Sequence, residues 1–219
     1  MPAKHAILSA SSSARWMACP PSARAESKME DKPSIFAAEG TLAHAWGEYF
    51  LRQKYLPGTG VEPEEEMDGE MSEAVRFYVD AVSEVFEAEK AKGNHPFISV
   101  EQRLDFSPWV PKGFGTGDAV IVSDGTIEIM DLKYGKGVLV LAKDNPQLRL
   151  YALGAWWTFK DIFPFKNVRM AIVQPRLNNL DKDTLTVPEL RSWGHMVKEK
   201  AALAWNGDGH RKAGPHCRF

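Results

Sequence analysis

Residues 113–136, GFGTGDAVIVSDGTIEIMDLKYGK, decide the fold, because the stretch reads as one β-hairpin. Asp124-Gly125 stands between two apolar runs, the pattern of a two-residue hairpin loop. With that loop Ser123 faces Thr126, Val122 faces Ile127, Val120 faces Ile129 and Asp118 faces Asp131, with Thr116 opposite Lys133 beyond them. Residues directly opposite on an antiparallel pair share a face, their Cβ atoms about 4.5–5.5 Å apart. Two aspartates so placed repel unless a cation lies between them or one keeps a proton. Side chains alternate along a strand, so Asp131 and Lys133 point to the same face and Leu132 away from it. Aspartate and lysine near strand ends are common as solvated charge. Here Val120, Val122, Ile127 and Ile129 share the face, which makes it the buried one, and acids on a buried face need a reason.

The chain around this hairpin has 219 residues and an apolar share of 44%, enough for one substantial packed domain. No run approaches the length of a membrane span, and no basic segment followed by an apolar stretch opens the chain. A cytoplasmic location is therefore expected, with no membrane partner. A net charge of −2 argues against coating nucleic acid by bulk charge and leaves room for a local basic groove. The acidic segment 62–70 reads as a solvated loop and helix start.

Ser9–Ser13 offers helix caps, and Ala14–Glu26 reads as a short helical stretch interrupted by Pro20-Pro21, an outer clasp rather than core. Ser34 caps a second helix running to Tyr55, on which His44 and Glu48 share a face. Residues 67–92 carry helical periodicity at Met71, Val75, Tyr78, Val82, Val85 and Phe86, ended by Gly93-Asn94. Phe97–Leu104 alternates as a strand that carries Glu101. After the hairpin, Val138–Ala142, VLVLA, reads as an edge strand. Asp144-Asn145-Pro146 is a helix start, with a capping side chain and Pro at the first helical position. Gln147 and Tyr151 then lie one turn apart on the same side of that helix. Val168–Gln174 and Asp181–Val187 read as strands, Pro188–Trp205 as a terminal helix, and His210–Phe219 as a basic loop. The fold class is α/β, a central mixed β-sheet flanked by helices. The expected organisation is a single domain: an N-terminal clasp (1–30), a helical part (34–93), a sheet core (97–187) and a C-terminal helix and tail (188–219).

Asp118 followed by Asp131-x-Lys133 across a hairpin resembles the active-site core of the PD-(D/E)xK nuclease superfamily. Glu39-Gly40-Thr41-Leu42-Ala43-His44 resembles the Gly-Thr-x-x-His motif of its RecB-like exonuclease branch, and Gln147-Leu148-Arg149-Leu150-Tyr151 resembles that branch's Gln-x-x-x-Tyr motif. The elements fall in the family's order over residues 9–175. The resemblance implies a restriction-endonuclease-like core and a metal-dependent DNA exonuclease. Asp118, Asp131, His44 and the backbone carbonyl of Leu132 would be ligands to Mg²⁺ or Mn²⁺, with the imidazole tilting preference toward Mn²⁺. Lys133 would orient the attacking water or stabilise charge on the phosphate, and Gln147 and Tyr151 would position the strand. Glu101 resembles an additional acidic position of some relatives, although a strand-end Glu has an ordinary surface explanation.

The implied substrate is DNA, single-stranded or at duplex ends. Lys136, Lys143 and Arg149 could line its groove or be plain surface charge. Phage-encoded members of this branch resect ends for a single-strand annealing partner, which would put the protein in a host cytoplasm. Some relatives also staple their ends with an iron–sulfur cluster held by four cysteines. Cys19 and Cys217 match the first two positions, but the chain has only two cysteines and stops at Phe219 as though cut before the rest. No intact cluster is expected in this chain, although a longer native form could carry one. Two other readings compete: a non-catalytic DNA-end binding module on the same fold, and a cysteine hydrolase using Cys19 with His44. The latter lacks the helix-start setting that activates a thiolate.

Overall fold

A computed structural model describes residues 6–29 and 35–218. The expected cap at Ser34 lies outside the described residues. The elements run α1 (Ser13–Ala18), α2 (Pro21–Glu26), α3 (Ile35–Tyr55), α4 (Gly69–Ala91), β1 (Phe97–Asp105), β2 (Phe114–Ser123), β3 (Thr126–Leu132), α5 (Pro146–Phe159), β4 (Asn167–Gln174), β5 (Asn179–Thr186) and α6 (Val187–Asn206). The strands form one five-stranded sheet in sequence order. Neighbours are antiparallel except β3 and β4, which run parallel and are joined through α5. This is the mixed sheet flanked by helices that the sequence implies.

The hairpin register is as read. Ser123 pairs with Thr126, Val122 with Ile127 and Val120 with Ile129. Gly125 supplies the positive φ of 72° that the turn needs, and its carbonyl accepts from the Lys166 and Asn167 N–H groups at the start of β4. Strand alternation divides the core in two. Val120, Val122, Ile127, Ile129, Met170 and Ile172 pack with residues of α5 and α6, whereas Ala119, Ile121, Met130, Leu132 and Val173 pack with residues of α3 and α4. Helix ends follow their local chemistry. Asp68 caps α4 through the Met71 N–H, Asn145 caps α5 through the Gln147 and Leu148 N–H groups with Pro146 behind it, and Thr186 and Glu189 close a capping box on α6. Among the described residues, no helix is long and apolar enough to cross a membrane.

The ladder stops at Ala119 and Met130, short of the expected Asp118–Asp131 and Thr116–Lys133 pairs, and two stretches outside the hairpin also depart from the sequence reading. The N-terminal segment is not an outer clasp: Leu8, Ala10, Trp16 and Ala23 are buried in the α5/α6 core. The Trp16 indole N–H is satisfied by the Ser9 carbonyl, so the whole ring can go inside. Residues 138–142 are not a strand. Side chains from β4 and β5 bind this loop's backbone in place of a ladder. Gln174 accepts from the Val140 N–H and donates to the Gly135 and Val138 carbonyls, Asn179 donates to the Val140 carbonyl, and Asp181 accepts from the Ala142 N–H. Val138, Leu139 and Leu141 are left about half exposed.

At the turn end of the sheet, a buried ionic cluster fastens α4 to the strands. Glu89 accepts from Arg169 at 2.7 Å, Lys92 at 2.9 Å, Asn94 at 2.6 Å and Ser123 at 3.2 Å, while Arg169 also pairs with Glu128 at 2.9 Å. Burial alone would raise the Glu89 pKa, but the hydrogen bonds from Arg169, Lys92 and Asn94 outweigh it and lower the value from 4.5 to about 2. A folded-state value below the unfolded one means that this group's contribution is complete above pH 4.5 and is lost as pH falls through about 2. Glu89→Gln is expected to destabilise the protein by about 2–4 kcal/mol in urea unfolding at neutral pH, and to flatten the acid limb of its stability curve.

Candidate active site

The site forms where β2 and β3 part. The last paired residues are Ala119 and Met130, one step short of the two aspartates. There Asp118 Oδ2 accepts the Leu132 N–H at 2.7 Å, so a side chain takes the hydrogen bond that would otherwise extend the ladder. Backbone N–H groups of a strand lie in the plane of the sheet, and the Asp118 carboxylate is drawn into that plane. Its other oxygen, Oδ1, lies 3.3 Å from His44 Nδ1 on α3, the helix across the opposite face from α5.

Glu101 joins this pair from β1. It lies between the Val100–Ala119 and Gln102–Gly117 pairs, opposite Asp118, and has a φ of 50°. Positive φ is costly for a residue with a side chain. One ligand atom from each of His44, Glu101 and Asp118 lies within 4.8 Å of the others, and this is the group of its kind among the described residues. Donors about 2.2 Å from a shared divalent ion stand roughly 3–4.5 Å apart, so two carboxylates and an imidazole at this spacing fit Mg²⁺ or Mn²⁺. Burial would lower the His44 pKa, but Asp118, then Asp131 and Glu101, raise it from 6.5 to about 9. Burial, then Asp118, raises that of Glu101 to about 7.

Asp131 stands beside the trio and is not part of it. Nearly all of its surface is buried. Its Oδ2 pairs with Lys133 Nζ at 2.9 Å and its Oδ1 accepts from Gln147 Nε2 at 3.1 Å. Gln147 also accepts from Lys133 Nζ at 2.9 Å and lies 3.3 Å from the Tyr151 hydroxyl. The motif residues of β3 and α5 therefore form one network. Its register comes from the Asn145–Pro146 start of α5, which fixes where Gln147 and Tyr151 fall. Gly115 makes room for the Tyr151 ring, since a Cβ there would lie 2.7 Å from it. Burial would lower the Lys133 pKa, but Asp131 beside it raises the value. Burial also pushes Asp131 upward against the pull of Lys133.

His44, Leu132 and Lys133 open into a cleft of about 860 Å³, whose walls include Tyr134, Lys136, Gln174 and Arg176. Of the cations expected to line a groove, Lys136 reaches this wall, where it pairs with Glu70 at 3.3 Å. Lys143 is exposed. Arg149 is engaged elsewhere, by Asp144 at 2.6 Å and Asp183 at 3.7 Å. Arg176 and Glu70 were not singled out by motif; the position of Arg176 just beyond the end of β4 was the available signal.

The chain ends come together. The Lys212 N–H donates to Cys19 Sγ at 3.4 Å, and the Cys217 thiol lies 3.9 Å from the Lys212 carbonyl. Cys19 is buried and Cys217 exposed. A cluster of the expected kind requires four thiols, and the sequence supplies two.

The chain belongs to the DUF2800 family, described as a protein of unknown function, and the match runs over residues 5–219. Among solved structures it is similar to a protein of Eubacterium rectale provisionally named an exonuclease, with a TM-score of 0.48, 15% identity, and coverage of 96% of this chain and 86% of that one. It is also similar to SSO0001, with a TM-score of 0.34, 10% identity, and coverage of 94% and 92% respectively.

If the trio holds a divalent ion, saturating Mn²⁺ should raise the melting temperature by about 5–10 °C, the effect of a ligand near a hundredfold over its Kd on a chain of this size. Asp118→Asn is expected to abolish that shift, while Glu89→Gln, remote from the site, keeps it. Differential scanning fluorimetry with and without the metal reads both.

Proposed function

We propose that this protein is a divalent-metal-dependent deoxyribonuclease of the PD-(D/E)xK type. One observation carries the reading: the Asp131–Lys133 ion pair lies beside the His44/Glu101/Asp118 group, and His44 and Lys133 from these two sets line an open cleft. A divalent cation, when bound, supplies Lewis-acid neutralisation of the phosphate charge. His44, Glu101 and Asp118 would hold it, with Asp131 adjacent. The Leu132 carbonyl would be a further ligand, while the Leu132 N–H orients Asp118.

Lys133 would serve as a cation, its ammonium held 2.9 Å from the Asp131 carboxylate. Such a group can donate to the attacking water or to a non-bridging phosphate oxygen as negative charge grows there. Asp131 and Gln147 fix the direction of that ammonium, and Tyr151 steadies Gln147. Phosphodiester hydrolysis needs little covalent chemistry from the protein beyond this positioning and charge. The finer reading, in which the enzyme resects DNA ends ahead of a single-strand annealing partner in phage recombination or repair, rests on the motif resemblance alone.

Linear DNA incubated with Mn²⁺ or Mg²⁺ should be degraded, and EDTA should stop it. Lys133→Ala is expected to lower the rate by about 10²–10³-fold, the usual loss for one transition-state donor, with DNA binding retained in a gel-shift assay. Binding without cleavage in the parent protein would instead mark a DNA-end binding module.

A further inference from the structure

Arg176 is a strong cation on the cleft wall, and it is already occupied. It sits on the short turn after β4 with its guanidinium over the Tyr134 ring, 4.7 Å from the centroid. Glu70, in the first turn of α4, grips it in a fork: Nε lies 2.9 Å from Oε1 and Nη2 lies 3.0 Å from Oε2. The same Glu70 carboxylate takes Lys136 at 3.3 Å, and Glu39 approaches the far side of the guanidinium at 3.7 Å. A guanidinium fork fits a carboxylate and a phosphate in the same bidentate manner. Glu70 thus holds both cations of the cleft wall in the geometry that a phosphodiester would use. Its side chain is 53% exposed against 11% for that of Arg176, so Glu70 is the partner that solvent reaches first. A partly exposed ion pair is salt-sensitive even when bidentate, and an anion of matching geometry can compete for the guanidinium.

We propose that Arg176, with Lys136, binds a backbone phosphate of the DNA strand in the cleft, and that Glu70 is its built-in competitor, released as the strand enters. This rests on the nuclease reading and adds to it a strand-positioning pair and an electrostatic gate outside the residues of the motifs. The gate has a selective effect. An isolated weak anion gains little by displacing Glu70, whereas a strand already held elsewhere in the cleft presents its next phosphate at high local concentration. The remaining acids of the neighbouring hollow, Glu65, Glu66 and Asp68, keep that side of the wall negative and direct the strand toward the basic side.

The test measures binding in protein that cannot turn over. In a Lys133→Ala background with Ca²⁺ as the divalent ion, fluorescence anisotropy of a labelled single-stranded oligonucleotide gives Kd across a salt series. Glu70→Gln should tighten binding about threefold or more, since a competing ion pair is removed. Arg176→Gln should weaken it about tenfold and reduce the slope of log K against log salt by about one, the signature of one lost phosphate contact. In the double variant the gain from Glu70→Gln should fall below about twofold. Glu70→Gln without effect, or a gain undiminished when Arg176 is absent, overturns the proposal. If that happens while the parent protein still cleaves DNA, the nuclease reading stands and only the gate falls. A parent that neither binds nor cleaves overturns both.

Discussion

The hydrogen bond from the Leu132 N–H to the Asp118 carboxylate is the constraint on which the site depends. In an uninterrupted hairpin the strands would continue to pair, and Asp118 and Asp131 would face each other across the ladder with nothing to separate their charges. Here the carboxylate replaces the ladder partner, the strands part, and each acid finds different company. Asp118 reaches toward α3 and β1, meeting His44 and Glu101, while Asp131 stays with Lys133 and Gln147. A single side chain thereby links the helices on one face of the sheet to chemistry drawn from the other. The strained φ of Glu101 is the local cost of bringing a third donor to that point.

The division between the two ends of the sheet follows. At the turn end, the carboxylates of Glu89 and Glu128 are balanced by Arg169 and Lys92, and Asn94 and Ser123 complete the hydrogen bonding. At the open end, acids outnumber nearby cations, and the pKa values of His44 and Glu101 move upward to compensate. The first cluster fastens helix to sheet. The second keeps unspent affinity for positive charge, which is what a cation site requires.

Much of this was legible in the chain because short-range rules governed it. The Asp124-Gly125 turn fixed the hairpin register, and Asn145-Pro146 fixed the phase of α5, so that Gln147 and Tyr151 could be set side by side before any tertiary contact was known. The failures lie where tertiary context overrode local pattern. VLVLA has the composition of a strand, but the side chains of Gln174, Asn179 and Asp181 claimed its backbone groups first. Trp16 appeared peripheral because its helix is short, yet one carbonyl acceptor allowed the ring to be buried. Glu101 could be set beside an acidic position of some relatives, but nothing in its neighbours announces a positive φ. The pairing of Arg176 with Glu70 spans residues too distant in sequence for any spacing rule to reveal.

The loop between β3 and α5 holds its course through borrowed amides: Gln174 contributes both ends of its carboxamide, and its own strand loses nothing by doing so. A cleft wall tied down by side chains can be lengthened, shortened or re-routed without disturbing the ladders behind it. Changes in this loop can therefore resculpt what the cleft admits while leaving the sheet and its acidic group untouched, with the side chains of Gln174, Asn179 and Asp181 as the pegs around which each new contour is strung.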